Sequence, residues 1–124
     1  MDNQNSIDES FLITITNSDL KNVTIELAEV GIDTVLKEGI LKDVPIIGLF
    51  SSIYRGALQI RDQIFLKKLL HFLSAVKDIP PEQRERMFQK LEEEGHGRKS
   101  VGENMLLILD RVDSYNKARL LGLL

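Results

Sequence analysis

Residues 44–76 read VPIIGLFSSIYRGALQIRDQIFLKKLLHFLSAV, the longest apolar-rich stretch of the chain, with Asp62 its only acidic residue. Ile46, Phe50, Ile53, Ala57, Ile60 and Ile64 recur at spacings of four and three, which places them on one face of an α-helix. Pro45 suits a first helical turn, where no N–H is needed, and Asp43 stands where a cap belongs. From Phe65 the stripe moves over by one position, to Phe65, Leu69, Phe72 and Val76. A bend, a break or a broadened buried face near Arg61–Asp62 accounts for that shift. One straight helix over the stretch would be about 50 Å long at 1.5 Å per residue. That is too long for a domain this small, so a kinked helix or two helices in series is expected.

Two side-chain sets within the stretch are candidates for function. Gly48, Ser52 and Gly56 lie four residues apart. Small residues at that spacing let a second backbone come close, and a glycine inside a helix costs about 1 kcal/mol relative to alanine. They form a close-packing face, turned either to a helix of the same domain or to a partner or membrane. Arg55, Arg61, Lys67 and Lys68 form a basic face. It reads as solvated surface paired with the acidic segment Glu82–Glu94, or as the cationic side of a helix lying on a membrane.

The rest of the composition sets bounds. A chain of 124 residues is one domain by size. Its 43% hydrophobic content supports a core, and its 28% charged content supports a solvated surface. Without cysteine there is no disulfide, thiolate metal site or cysteine nucleophile. The net charge of −3 argues against nucleic acid as a partner. That charge is uneven: residues 1–20 carry −4 and residues 44–77 carry +4. The polar, acidic N-terminus does not resemble a signal peptide. Val44–Ile60, with Arg55 as its only charge, falls short of the roughly 20 apolar residues that cross a bilayer. The expected location is the cytoplasm, with membrane association as the option the basic stretch leaves open.

Taken in order, Met1–Ser10 reads as polar and disordered. Phe11–Thr16 (FLITIT) alternates β-branched residues like a short strand, so Phe11, Ile13 and Ile15 make a candidate edge-pairing segment for another chain. Residues 1–17 are thus expected to form an extended N-terminal segment, and residues 18–124 a single helical domain. A first helix is expected from about Asp19 to Glu38, with Leu20, Val23, Leu27, Val30 and Val35 inward, a weak point at Gly31 and a stop at Gly39. Asp78–Pro81 (DIPP) breaks the chain, and Pro81 opens a polar helix to Glu94 with Met87, Phe88 and Leu91 as its narrow apolar stripe. Ser100 and Glu103 have the spacing of a capping box for a further helix with Val101, Met105, Ile108 and Val112 inward. A last short helix is expected through Leu124. The blunt LLGLL end suggests leucines packed in the bundle or a chain cut within a longer protein.

Catalytic chemistry is thinly represented. His71, between Leu70 and Phe72, reads as a half-buried helix residue. His96 follows Glu92–Glu94 in a glycine-flanked turn, but no second histidine completes a metal site. Asp110 and Asp113 lack the alternating oxygen donors of a calcium loop. No GxSxG, Walker-type or GxGxxG pattern occurs. No enzyme and no cofactor is expected.

Three runs, KDVPIIGLFSSIYRGALQIRDQIFLKKLLHFL, DIPPEQRERMFQKLEEE and VGENMLLILDRVDSYNKARLLGLL, make the chain similar to small uncharacterised bacterial helical proteins over roughly residues 24–124. The resemblance rests on Asp43, Pro45, Gly48, Arg61, Asp62, Lys67 and Lys68. It implies a helical fold that continues past Leu124, and it carries over no functional residues.

These readings converge on an all-α bundle of about five helices around a long apolar and basic central helix. The expected function is a non-catalytic bacterial interaction module that binds a protein partner or a second copy. The alternative is a membrane-active or membrane-surface helical protein, a defence or toxin-like effector, that uses residues 44–77 on an anionic bilayer.

Overall fold

A computed structural model describes residues 3–17, 19–54, 59–112, 114, 115, 117, 118 and 121. Among these the fold is all-helical. The elements are α1 (Asn3–Asn17), α2 (Ile25–Val30), α3 (Ile32–Lys37), α4 (Pro45–Ile53), α5 (Ile60–Val76), α6 (Pro81–Glu93) and α7 (Arg98–Arg111).

The N-terminal expectation is overturned. Residues 3–10 are helical rather than disordered, and Phe11–Thr16 is the second half of α1 rather than an extended strand. Its backbone groups are spent within the helix, so the segment offers no edge for another chain to pair with. Ile7, Phe11 and Ile15, four residues apart, turn toward the core, while Ile13 is 48% exposed. The threonines that suggested a strand fit the helix by bonding back one turn. Thr14 Oγ1 donates to the Ser10 carbonyl at 2.7 Å and Thr16 Oγ1 to the Leu12 carbonyl at 2.8 Å. Tertiary burial outweighs the β propensity of the run.

α1 is a hub, packing against α4, α6 and α7. Its Phe11 ring stacks on Phe72 of α5, centroids 6.1 Å apart. Two polar side chains fix its position. Thr14 Oγ1, buried, accepts the Ile46 N–H at 3.1 Å, so α1 caps the start of α4, a role the sequence assigned to Asp43. Arg84 of α6, only 3% exposed, donates from Nη1 to the carbonyls of Thr14 and Ile15 at 3.3 and 2.9 Å, and from Nε to Ile79 at 2.9 Å. Those α1 carbonyls lie in its last turn, where intrahelical donors run out and positive charge is favoured. Burial lowers the Arg84 pKa from its usual value, against the opposing pull of Asp19 and Glu82.

The region expected as one helix over 19–38 divides. Asp19 Oδ1 accepts the Lys21 N–H at 3.0 Å, a local turn in place of a helix start. A second break falls at Gly31. α3 ends at a Schellman motif with Gly39 at φ 70°, where the Ile40 N–H bonds to the Val35 carbonyl at 3.0 Å. α6 ends the same way, with Gly95 at φ 94° and the His96 N–H on Leu91 at 2.9 Å.

The 44–76 stretch forms two helices in series, as one of the sequence readings has it. α4 ends at an extended Tyr54 and α5 starts after an extended Gln59, and Arg61–Asp62 lies inside the first turn of α5. Buried Ile46, Ile47 and Phe50 hold α4 in the core. The second half of α5 is buried nearly all round, from Leu66 and from Lys68 through Val76, among α2, α3 and α7. α7 is rotated from its expected phase. Gly102, Leu106 and Leu109 face inward, Val101, Met105 and Val112 are half-buried, and Ile108 is 51% exposed. α7 begins at Arg98 after Gly97, so Ser100 lies inside the helix and caps nothing.

Candidate functional site

The small-residue set divides between inside and outside. A Cβ on Gly48 would overlap the Lys42 carbonyl oxygen, so this glycine admits the chain's own α3–α4 connector. Ser52 is exposed and donates to the Leu49 carbonyl at 2.7 Å. Gly56 lies outside the described residues. A close-approach glycine the reading missed is Gly102, where a Cβ would stand 2.8 Å from Leu12 Cδ2 of α1. The 102, 106, 109 spacing could have disclosed it, had glycine been allowed to begin a buried stripe.

The basic set likewise separates. Lys68 is buried, and its ammonium donates to the Asp110 carbonyl at 2.7 Å, neutralising the C-terminal end of α7. Lys67 stands 5.0 Å from the centroid of the Tyr115 ring. Arg61 is exposed, and Arg55 lies outside the described residues. The expected pairing with the acidic helix goes to Arg98 instead, which bridges Glu85 and Glu92. His71 is buried with its ring stacked on Tyr115 at 5.3 Å, and His96 is exposed in its turn. Among the described residues no three acidic or histidine side chains gather to hold a metal.

The apolar stripe of the 44–76 stretch reaches the surface where α5 begins. Ile60 and Ile64, expected on the buried face, are 75% and 41% exposed. In α5 these two isoleucines lie on the solvent side, while the core contacts are made by Leu66, Leu69, Leu70 and Leu73. The one-position shift at Phe65 is the sequence trace of this change. Ile60 and Ile64, one turn apart, form an apolar ridge with exposed Arg61 beside it and Lys67 a turn further on.

At the base of the ridge lies a polar cluster. Asp33 of α3 accepts from Gln63 Nε2 of α5 at 3.4 Å and lines one cavity with Tyr54. Tyr54 is held above the usual tyrosine pKa, first by burial and then by the Asp33 carboxylate. A shallow cavity of about 490 Å³ opens here, lined by Asp33, Thr34, Lys37 and Tyr54. No described helix is long and apolar enough to cross a membrane. Comparisons with protein-family models, with curated proteins and with solved structures return no match.

Proposed function

We propose that the protein is a non-catalytic helical interaction module and that the Ile60–Ile64 ridge of α5 is its contact surface. The observation that supports this is the exposure of Ile60, the most exposed large apolar side chain described, one turn from a second exposed isoleucine. Such a pair can anchor the apolar face of a partner helix in the i, i+4 manner. The cations select the partner. Arg61 and Lys67 beside the ridge are complementary to an amphipathic partner helix whose rim is acidic. Exposed apolar residues flanked by cations also suit an anionic bilayer surface, the second reading.

The test uses native size. Gel filtration of fresh extract from source cells should show the wild-type protein well above its 14.1 kDa monomer mass. Ile60→Glu combined with Ile64→Glu should move it to the monomer position without lowering its thermal midpoint. Wild-type protein that elutes as a monomer contradicts the reading. Flotation with phosphatidylglycerol vesicles that is lost at high salt would favour the bilayer.

A further inference from the structure

A second exposed apolar patch lies close to the ridge. Lys68, one turn beyond Ile64, reaches the Asp110 carbonyl of α7 at 2.7 Å, which joins the last turn of α7 to the helix that carries the ridge. One turn before that carbonyl, α7 exposes Leu107 and Ile108, at 52% and 51%. Both patches are thus within a turn of the Lys68–Asp110 junction.

The two patches are opposite in charge. Arg61 and Lys67 accompany the ridge. On α7, half-buried Glu103 and exposed Asp110 lie four residues before Leu107 and three after it, on its side of the helix. Arg111 stands on the other flank of Leu107, about 80° to 100° around the helix from those carboxylates. The other exposed apolar side chains described outside the ridge lack this setting. Met87 has Gln83 and Lys90 a turn away, and Ile13 has Glu9 as its one acidic neighbour at that spacing.

We infer that the occupant of the ridge is α7 of a second copy of this chain, with Leu107 seated between Ile60 and Ile64. Glu103 and Asp110 of one copy then face Arg61 and Lys67 of the other. The inference rests on the ridge as the contact surface and names what covers it. Each copy carries both patches on adjoining helices, so a two-fold axis makes the contact twice and the pairing closes as a dimer. The basic ridges do not meet in this arrangement, since each lies on the other copy's acidic turn. Removing Ile60, Ile64, Leu107 and Ile108 of both copies from water drives the pairing, and the charges set its register.

Sedimentation equilibrium of the purified full chain is the experiment. Wild-type protein should reach twice its 14.1 kDa chain mass. Leu107→Lys, and separately Ile60→Glu with Ile64→Glu, should each weaken the dimer about thirtyfold or more, with circular dichroism unchanged. Met87→Lys, an exposed change on α6, should leave the dimer intact. Mixing the two weakened proteins is the specific test. The mixed dimer keeps one unaltered contact of ridge on α7 and sets glutamate against lysine in the other, so the dimer should return. Failure to return overturns the pairing, as does a dimer that Leu107→Lys leaves intact. A purified monomer also overturns it. If that monomer is nevertheless large in source-cell extract, the ridge stands with a different partner. If it is a monomer there too, or if a dimer survives the ridge substitutions, the ridge reading fails with the pairing.

Discussion

Gly48 and Gly102 show how much a single missing Cβ decides. Each admits a neighbour into contact range, but the neighbours differ in what they can yield. At Gly48 the obstacle is the Lys42 carbonyl, part of a backbone fixed by the turn that leads into α4. At Gly102 it is the end of the Leu12 side chain, which can change rotamer. Gly48→Ala is expected to destabilise the protein by about 2–3 kcal/mol, and Gly102→Ala by about 1 kcal/mol or less. Urea denaturation of the two variants checks the order, and equal losses would mean the α4 entrance is looser than the structure shows. Gly48 stands out in the sequence because it sits in an apolar run. Gly102 does not, since nothing local shows that α1 will pass over it.

Among the elements, α1 and α7 are misplaced by the sequence for a shared physical reason. Alternation in FLITIT and the run of five apolar residues at 105–109 each fit more than one pattern, and only a packing partner selects among them. For α1 the selector is burial of Phe11 and Ile15 against the bundle, with Arg84 closing its last turn. For α7 it is the close passage of Leu12 over Gly102, which turns Leu106 and Leu109 inward. The Pro81 start of α6 and the Gly39 stop of α3 are read correctly. The α7 phase makes a direct prediction. Leu106→Ala should cost about 2–4 kcal/mol and Ile108→Ala less than about 0.5 kcal/mol, measured by thermal or urea unfolding. The reverse order would restore the phase expected from Val101, Met105, Ile108 and Val112.

For the whole molecule, the 44–76 stretch still organises the chain, though as two helices with different tasks. α4 and the second half of α5 enter the core, and the first half of α5 leaves Ile60 and Ile64 exposed. The all-helical fold was legible because helical spacing dominates the chain. The ridge was hidden because the same spacing describes a buried face and an exposed one; burial depends on where the stretch breaks, and Ile60 and Ile64 lie just past that point. The basic set dispersed for a similar reason, since adjacent lysines on a helix point 100° apart: Lys68 enters the core side while Lys67 meets Tyr115. Leu121 of the leucine-rich end packs against the core, and residues 122–124 lie outside the described set.

The claim that the ridge is a contact surface is tested most directly by placing a photo-crosslinking residue at position 60 in source cells, with exposed Gln89 of α6 as the control position. Position 60 should give a discrete crosslinked protein, joined through a helix with acidic residues beside its apolar anchors, and position 89 none. No crosslinked protein from position 60, or the same products from both positions, would contradict it.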